Sequence, residues 1–522
     1  MRTGLFLSRD DGTISETVDV DALAKAYAFL PAAHVYDSFF RAADQQAMLN
    51  TVRESQLDAV VLAGNSPSYF HTVLGGTGIL EALTAHGINP NKVAFANLKE
   101  QVAPAQATSK ARRLIDVALA KVEASTRVKS HLVAPHRSVL VVGTTAGGLI
   151  AAQALLRKGY RVYLLEPAPA LRLQPDLQKA LLPILTSVQS NARATFFFAA
   201  GLKDISGFCG QYAVVVTAGD GEHEFAVGGV VLSVGNDPEV VGTLRAQLRL
   251  NITRDGKLAQ EGCQPGRTTD PGVWFIPGGD TSDGLAMEMQ GAATVVVALT
   301  TMLDASELAH PLFITAIDET ACGGCGTCVK TCAFAASRID MARKLSVIDP
   351  ARCKGCGNCV TACPTGARDL ISLPRDYVRH AIQILSQGTT GSEDPRILAL
   401  FCRTCGQSAM DAAGAGYSPN VMPLGVECGG SVDTQYILEA FGKGFDGVAL
   451  FACRDGHCHN NVGNTDMGRR VGLFRTVLRS RHINDERLRV VSVYANDGGV
   501  VREELQSLSA DLTAMAAVGG RR

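Results

Sequence analysis

Eight cysteines in the middle of the chain carry the strongest chemical pattern in the sequence. They form two runs with the spacing CxxCxxCxxxC: Cys322, Cys325, Cys328 and Cys332, then Cys353, Cys356, Cys359 and Cys363. This doubled spacing, with a proline directly after the last cysteine, is typical of two 4Fe-4S clusters. Each cluster needs thiolates that converge from one tight loop, and glycines between the cysteines let the backbone wrap around it. Zinc would need only four thiolates per site, so two complete runs favour iron and sulfur.

The fourth thiolate of each cluster is expected from the other run, as in two-cluster ferredoxins. One cluster should be held by Cys322, Cys325, Cys328 and Cys363. The second should be held by Cys353, Cys356, Cys359 and Cys332. Because interleaved ligation brings the clusters close together, this segment is predicted to conduct electrons rather than to catalyse a reaction.

Five further cysteines lie near the C-terminus, at the ends of strand-like runs or shortly after them. They are Cys402, Cys405, Cys428, Cys453 and Cys458. Strand ends at one edge of a parallel sheet converge, so we expect these thiols to meet there. A 2Fe-2S cluster is predicted, with zinc as the alternative; four ligands suffice, so one cysteine would be spare or redox-active. His457 and His459 could also ligate, although capping or solvated histidines are more common. The remaining two cysteines, Cys209 and Cys263, are predicted to be small buried hydrophobes.

A strand, a glycine-containing turn, a helix and a second strand follow one another from Ser138 to Glu166. Gly143 and Gly148 occupy the first and third glycine positions of a dinucleotide-binding turn. Glu166 stands about 20 residues later, where an acid binds the ribose. Thr145 takes the second glycine position, so a side chain stands where a pyrophosphate would approach the helix.

A later strand-to-loop stretch, VWFIPGGDTSDG, contains Gly279 and Asp280. It resembles the segment of two-dinucleotide-domain flavoproteins in which an aspartate contacts the ribityl chain of the flavin. The sequence therefore predicts a Rossmann-like FAD domain, and a fold that has lost FAD is the alternative. Between Glu166 and Val230 the chain is too short for the separate nicotinamide domain of those enzymes, so direct reduction by NADH is not expected.

The elements that must position these residues fall into four predicted domains, because 522 residues exceed what one hydrophobic core supports. The predicted fold class is α/β multidomain, with two small α/β parallel-sheet domains flanking the Rossmann-like FAD domain and the bacterial two-cluster ferredoxin domain. The predicted bounds are 1–130, 136–312, 313–373 and 396–522. A Gly/Ser/Thr/Pro stretch, Gly388–Pro395, is the predicted linker before the last domain.

Pieces of the first and last domains align in the same order, such as SRDDG with CRTCG and DAVVLAGN with DGVALFAC. In this alignment the first domain has Ser8, Asp11 and Asn65 where the last domain has cysteines. The N-terminal copy is therefore predicted to bind no cluster. Chance similarity among α/β domains is the alternative to a duplication.

Composition and charge limit the class of protein. The chain is 46% hydrophobic and 19% charged with a formal net charge of -1, so no basic surplus points to nucleic acid or an anionic membrane. The first residues, MRTGLFLSRDDG, have acids where a signal peptide would have its apolar core, and a cytoplasmic location is predicted. One uncharged stretch, Val139–Leu156, is interpreted as strand, turn and helix, so no membrane span is predicted.

These parts, in this order, resemble the A subunit of heterodisulfide reductases over residues 1 to about 373. The remainder resembles the small iron-sulfur (delta) subunit of methyl-viologen-reducing hydrogenases. The matching motifs are the ferredoxin-type cysteines, the turn at Gly143–Gly148 with Glu166, and the block CRDGHCHNNVGN with Cys453 and Cys458. A related fusion is the B subunit of the quinone-interacting oxidoreductase of sulfate reducers.

The resemblance implies an electron-transfer subunit of a heterodisulfide-reductase-like complex. Electrons from a hydrogenase, formate dehydrogenase or similar donor would enter through the C-terminal cluster. FAD and the ferredoxin-type clusters would then pass them to a partner subunit. The resemblance is compatible with docking of this complex to a membrane subunit. The N-terminal domain lacks cysteines, Thr144 and Thr145 replace turn glycines, and the flavin domain lacks the cysteine-rich insert of the family. These departures argue against electron bifurcation.

No Ser/His/Asp or paired-carboxylate catalytic site is predicted, so any oxidoreductase chemistry would depend on the flavin and on partner subunits. The main alternative function is a flavin-free electron wire and scaffold. A redox or iron sensor is a further alternative, but no basic patch or DNA-binding helix supports it.

Overall fold

The computed structural model describes the chain except for residues 72–77, 101, 103–106, 172, 174, 236, 251, 254, 261–264, 279–283, 388–393, 415–416, 418 and 518–522. The described chain forms two compact units. The first contains the N-terminal, cysteine-rich and C-terminal parts, Met1–His71, Thr77–Val128 and Phe313–Arg522. The second contains the middle part, Lys129–Leu312.

The N-terminal part of the first unit is a four-stranded parallel sheet with helices around it. The strands pair in the order β2-β1-β3-β4. Strands β1 and β3 are buried along their whole length, as expected for the central strands of a parallel sheet covered on both faces. Its elements are β1 (Thr3–Ser8), α1 (Val20–Ala26), β2 (Ala32–Tyr36), α2 (Ala42–Glu54), β3 (Ala59–Gly64), α3 (Ile79–Ala85), β4 (Val93–Asn97) and α4 (Ala107–Ala124).

The second unit is built around a five-stranded parallel sheet with the order β13-β12-β6-β7-β8. The predicted strand, turn and helix are confirmed, because β6 runs into α5 through the glycine-containing turn. Strands β9 to β11 form a separate antiparallel sheet, and β5 pairs with β14. Its elements are β5 (Ser130–Val133), β6 (Ser138–Val142), α5 (Ala146–Arg157), β7 (Arg161–Glu166), α6 (Pro175–Ala180), α7 (Leu182–Gln189), β8 (Ala194–Phe198), β9 (Gly201–Phe208), β10 (Gln211–Ala218), β11 (Gly221–Val227), β12 (Gly229–Leu232), α8 (Pro238–Gln247), β13 (Val273–Phe275), α9 (Gly284–Leu303) and β14 (Leu308–Pro311).

Helix α9 is, among the described helices, the one long and apolar enough by length and composition to cross a membrane. One side of it is buried in the core of the second unit, where Ala292, Val295 and Leu299 pack with residues of the sheet. A single apolar helix of this kind is also common as a core helix.

The cysteine-rich segment returns to the first unit as two short loops, each followed by a short helix. Gly326 and Gly357 precede the two helices with φ angles of 77° and 80°, so each run has a left-handed glycine directly before its helix. The segment and the helix after it contain β15 (Thr315–Ile317), α10 (Thr327–Thr331), β16 (Ser337–Asp340), β17 (Leu345–Ile348), α11 (Asn358–Thr361), β18 (Arg368–Leu370) and α12 (Arg375–Ser386).

The C-terminal part has a sheet of the same topology as the N-terminal part. Its four parallel strands pair in the order β20-β19-β21-β22. In both sheets the first strand therefore has the second strand on one side and the third strand on the other, and the fourth strand pairs with the third. This shared order supports a duplication. Its elements are β19 (Ile397–Cys402), α13 (Cys405–Ala413), β20 (Val421–Val426), α14 (Thr434–Gly442), β21 (Gly447–Cys453), α15 (Gly463–Ser480), β22 (Leu488–Val493) and α16 (Gly498–Ala517).

One continuous apolar core joins all three parts of the first unit. It includes Leu5 of β1, Val360 of the cysteine-rich segment and Leu398 of β19. The cysteines of the middle segment are thus fixed between two sheets. The predicted linker before β19 lies mostly outside the described residues.

Candidate functional site

The first ferredoxin-type run lies near the surface. Cys325 is exposed, whereas Cys328 is buried. The thiol of Cys325 lies close enough to Cys363 of the second run for the two to interact electrostatically. The Thr327 hydroxyl, 3.4 Å from the Cys325 sulfur, lowers the pKa of that thiol. Cys363 has the same arrangement with Thr365, at 3.6 Å.

The second run is more deeply buried. Cys359 interacts electrostatically with Cys353 of its own run and with Cys332 of the first run. The backbone N–H of Ala336 points at the Cys332 sulfur, 3.3 Å away. The fourth cysteine of each run thus lies near one cysteine of the other run, Cys363 near Cys325 and Cys332 near Cys359.

The loops around these cysteines are tight, and their glycines cannot be replaced without a clash. A Cβ on Gly324 would lie 2.4 Å from the carbonyl oxygen of Lys344, and a Cβ on Gly355 would lie 2.5 Å from that of Phe313. Three sulfurs from one tight loop and a fourth from the other run fit a cuboidal cluster.

The C-terminal cysteines come together at the carboxyl edge of the last sheet, and all five are buried. Cys402 ends β19, Cys405 begins α13 and Cys453 ends β21. The sulfurs of Cys402 and Cys453 are 3.8 Å apart. Two further cysteines approach from loops: a Cβ on Gly463 would lie 2.3 Å from the Cys428 sulfur and 3.5 Å from the Cys458 sulfur.

His459 also belongs to this group. Its Nδ1 lies 3.8 Å from the Cys405 sulfur and 3.6 Å from the Cys453 sulfur, and the three ligand atoms are within 4.8 Å of one another. His459 is only 3% exposed, so it is not a solvated histidine, and the prediction that it could ligate stays open. His457 instead packs edge-on against the Tyr494 ring, with centroids 5.2 Å apart. Both a 2Fe-2S cluster and a zinc ion accept thiolate and imidazole ligands.

Crowding shifts the pKa values of these thiols in opposite directions. The hydrogen bond to Cys453, together with burial, raises the pKa of Cys402 well above its usual value. The pKa of Cys453 is lowered because Cys402, Cys405 and Cys458 donate hydrogen bonds to it.

The C-terminal site and the second ferredoxin-type site are neighbours. Cys356 packs against the apolar cluster that contains the five C-terminal cysteines. Burial, and then the charge interaction with Cys428, raise the pKa of the Cys356 thiol well above its usual value. The Thr361 hydroxyl donates a 2.9 Å hydrogen bond to the carbonyl of Gly430. A Cβ on Gly357 would lie 2.5 Å from that of Ser431, so the two loops are in close contact.

In the second unit, the turn after β6 has the backbone of a dinucleotide site. Gly143 has a φ of 91°, and a Cβ on it would lie 2.1 Å from the carbonyl oxygen of Ser233. A Cβ on Gly148 would lie 2.6 Å from the carbonyl oxygen of Gly143, which explains the glycine at both ends of the turn. Gly279 and Asp280 lie outside the described residues.

Two glutamates accept hydrogen bonds from the backbone N–H groups and threonine hydroxyls of this turn. Glu166 is 1% exposed and accepts hydrogen bonds from the backbone N–H and the hydroxyl of Thr144, at 2.9 and 2.7 Å. Glu288 of α9 accepts from the N–H of Gly147 at 2.6 Å and from the Thr145 hydroxyl at 2.9 Å. The N-terminus of α5 thus already binds a carboxylate, in keeping with its positive dipole end. A pyrophosphate could bind the N–H of Gly147 only if the Glu288 carboxylate moved away.

The two cysteines outside the clusters differ. Cys209 is 3% exposed and lies against the sulfur of Met302, which confirms the prediction of a buried hydrophobe. Burial raises the pKa of its thiol to about 12. Cys263 lies outside the described residues.

Comparison with known families matches each part of the chain separately. Residues 397–516 match the family described as methyl-viologen-reducing hydrogenase, delta subunit. Residues 321–367 and 345–409 match 4Fe-4S dicluster domains. Residues 80–299 match pyridine nucleotide-disulphide oxidoreductase, the Rossmann-like type of domain that was predicted.

The C-terminal part is similar to most of two hydrogenase subunits. The iron-sulfur D subunit of the F420-non-reducing hydrogenase of Archaeoglobus profundus is 34% identical over 108 residues, which are 20% of this chain and 79% of that protein. The corresponding vhc iron-sulfur D subunit of Methanococcus voltae is 33% identical over 108 residues, 20% of this chain and 75% of that protein.

A second group of relatives, A subunits of heterodisulfide reductases, matches this chain over only part of their own length. The A subunit of the ferredoxin:CoB-CoM heterodisulfide reductase of Methanosarcina mazei is 32% identical over 185 residues, 35% of this chain. The match spans only 23% of that subunit's length. The predicted fusion of a part like this A subunit with a delta-subunit-like domain is confirmed by the two groups together. Among solved structures, THI4 of Thermovibrio ammonificans shows 16% identity and a TM-score of 0.25, and the similarity covers 33% of this chain and 92% of that one.

Proposed function

The chain belongs, through its C-terminal domain, to the methyl-viologen-reducing hydrogenase delta subunit family, and from this premise we propose that it is an electron-transfer subunit of a heterodisulfide-reductase-like oxidoreductase complex. It would pass electrons between a C-terminal iron-sulfur cluster, a flavin and two 4Fe-4S clusters. When bound, the clusters carry single electrons and a flavin carries one or two.

The proximity of Cys356 to Cys428 is the observation that carries the proposal. These residues belong to two different candidate sites; Cys356 packs against the apolar cluster that contains Cys428, and the two thiols are close enough to interact electrostatically. Gly357 and Gly430 allow the closest approach, since a Cβ on Gly430 would lie 1.9 Å from the side-chain oxygen of Asn358. Such proximity would let the two sites exchange electrons, which a structural zinc at the C-terminal site would not do.

The proposed ligand sets are those that the cysteine spacing predicts. Cys322, Cys325, Cys328 and Cys363 would hold one 4Fe-4S cluster, and Cys353, Cys356, Cys359 and Cys332 the other. Four of the five C-terminal cysteines, with His459 as a further candidate, would hold a 2Fe-2S cluster. The burial of all five C-terminal cysteines supports this, because water is excluded from the site.

The partners are proposed from chemistry and from the names of the relatives. An electron-transfer subunit needs an electron donor and an acceptor. A hydrogenase-type or formate dehydrogenase-type subunit is the proposed donor, since hydrogenase subunits are the relatives of the C-terminal domain. A heterodisulfide-reductase-like subunit is the proposed acceptor, and the complex would be cytoplasmic.

A flavin-free wire and scaffold is the second candidate function. Glu288 favours it, because its carboxylate occupies the N–H of Gly147, to which a pyrophosphate would bind. In that case the second unit would serve as a docking surface, and only the clusters of the first unit would carry electrons.

The test is reduction of the chain by its own donor. The chain is purified anaerobically with its partner subunits and exposed to dihydrogen or formate, and the state of each cluster is followed by electron paramagnetic resonance (EPR). The proposal predicts that wild-type chain is reduced at all cluster sites. With Cys453→Ser in the C-terminal site, the 4Fe-4S clusters should be present but no longer reduced by the donor. Full reduction of the 4Fe-4S clusters in this variant would contradict entry through the C-terminal site.

A further inference from the structure

Arg368 is a buried cation between the two ferredoxin-type sites. It is 2% exposed, and it is the largest of the fully buried side chains. It begins β18, which pairs with β15 and so fixes the backbone on which the guanidinium is carried. Its position in the fold is therefore determined by the small sheet that closes the cysteine-rich segment.

The guanidinium contacts a predicted ligand of one site directly. One of its terminal nitrogens, Nη1, lies 3.6 Å from the sulfur of Cys359 and 3.2 Å from the hydroxyl of Thr315. The other, Nη2, donates a hydrogen bond to the hydroxyl of Ser346. Cys359 is itself only 8% exposed, so little water screens this contact.

The same guanidinium reaches the other site through Ser346. The Ser346 hydroxyl lies 3.2 Å from the sulfur of Cys328, a predicted ligand of the first site. Cys359, Arg368, Ser346 and Cys328 thus form one chain of polar contacts that joins a ligand of each site. All four residues are buried.

No carboxylate balances this charge among the described hydrogen-bond and ion-pair partners of Arg368. A buried ion without a counter-charge is strongly destabilising. Clusters ligated by four thiolates are negatively charged, and they become more so on reduction, so they would supply the missing charge. A nearby cation stabilises the reduced state more than the oxidised state, which raises the reduction potential.

We propose that Arg368 sets the reduction potentials of both ferredoxin-type clusters, and raises that of the Cys359 site more than that of the Cys328 site. This inference rests on the proposed function in requiring clusters at both sites. Arg368 acts through the cysteines and is a positioning residue. Its effect would hold both clusters in a range where the C-terminal site can reduce them.

The experiment is a redox titration of the purified whole chain under anaerobic conditions, followed by EPR, together with iron content. Arg368→Gln keeps hydrogen-bonding capacity and removes the charge, and Arg368→Lys keeps the charge. Arg338→Gln, on the exposed side of β16, removes a charge of the same sign from the same segment. Both potentials should fall in Arg368→Gln, the one of the Cys359 site further, while Arg368→Lys and Arg338→Gln should stay close to wild type.

A second variant covers the case in which Arg368→Gln does not retain iron. Ser346→Ala cuts only the branch to Cys328, so the potential of that site alone should fall. Unchanged potentials in iron-replete Arg368→Gln, or in Ser346→Ala, would overturn the inference while leaving the proposed function intact. Wild-type chain that binds no iron-sulfur cluster would instead overturn the proposed function.

Discussion

The side-chain amide of Asn65 donates a 3.0 Å hydrogen bond to Asp10, at the place in the first sheet where Thr404 and Cys453 lie 3.4 Å apart in the last one. Asp10 also forms a 2.6 Å ion pair with Lys99. Both pairs lie where the first and third strands of equivalent sheets end. The corresponding edge therefore holds an ionic network in the first sheet and thiols in the last.

The first prediction concerns Asp10. Burial raises the pKa of its carboxyl, but Lys99, Asn65 and Thr13 lower it further, so the net shift is downward. A lowered pKa stabilises the folded state above the unfolded value, near pH 3.9, and this stability is lost as the pH falls through the folded value. Asp10→Asn should cost about 1–2 kcal/mol at pH 7, seen as a lower Tm, without loss of iron. Asp37→Asn, at an exposed ion pair, is the control, and equal effects of the two would count against the network.

The second prediction concerns flavin binding. Glu288→Ala removes the carboxylate that occupies the N–H of Gly147, so FAD should bind more tightly. A charge-assisted hydrogen bond is worth about 1.5–3 kcal/mol, which corresponds to about tenfold to hundredfold in Kd. Quenching of FAD fluorescence by the whole chain measures this, with the exposed Glu307→Gln as control. An unchanged Kd would show that Glu288 does not compete with the flavin.

The third prediction concerns the buried carboxyl of Glu100, which lies near Asp411 in the first unit. Ser66, Ser68 and Asn97 all donate hydrogen bonds to Asp411, at 2.6 to 3.1 Å. Burial, and then the nearby charge of Asp411, raise the pKa of Glu100 to about 7. Asp411 itself has a raised pKa because it is buried.

A raised carboxyl pKa means that the folded state keeps its proton to a higher pH than the unfolded state does. The stability of the wild-type fold therefore falls as the pH rises from about 4.3 to about 7. Glu100→Gln should therefore have a higher Tm than wild type at pH 8. The difference in the free energy of unfolding should be about 3 kcal/mol at pH 8 and less than about 2 kcal/mol at pH 5.5. Glu123→Gln, at an exposed position of α4, should show no such dependence. A difference that does not change with pH would contradict the assignment of the pKa to Glu100.

The fourth prediction concerns the ligands of the C-terminal site. Cys453 lies at the centre of the group, within reach of Cys402, Cys405 and His459. Cys453→Ser should abolish the C-terminal EPR signal and its share of the iron, while both 4Fe-4S signals persist. His459→Ala should shift that signal without removing it if the imidazole only donates to a cysteine sulfur, and remove it if the imidazole is a ligand.

The sequence predicted what depends on local spacing. Cysteine spacing predicted the two ferredoxin-type runs, whose residues match 4Fe-4S dicluster domains. Glycine positions predicted the turn after β6, because a turn of that shape excludes a Cβ at Gly143 and Gly148.

The sequence did not reveal contacts between distant segments. Glu288 lies 141 positions from Gly147, and Ser346 lies 18 positions from Cys328, so neither pairing leaves a local pattern. His459 was not assigned to the thiol group because a histidine next to a cysteine is common without ligation. Its burial against Cys405 depends on how the loop after β21 folds over the sheet edge, and a spacing rule does not contain that information.

The most direct test is an EPR titration of the anaerobically purified, iron-replete chain, reduced stepwise with dithionite. Proximity of the Cys428 and Cys356 sites predicts a C-terminal iron-sulfur signal that broadens when the neighbouring 4Fe-4S cluster becomes paramagnetic. A C-terminal site that contains zinc, or a signal that does not respond to reduction of its neighbour, would contradict an electron path through this contact.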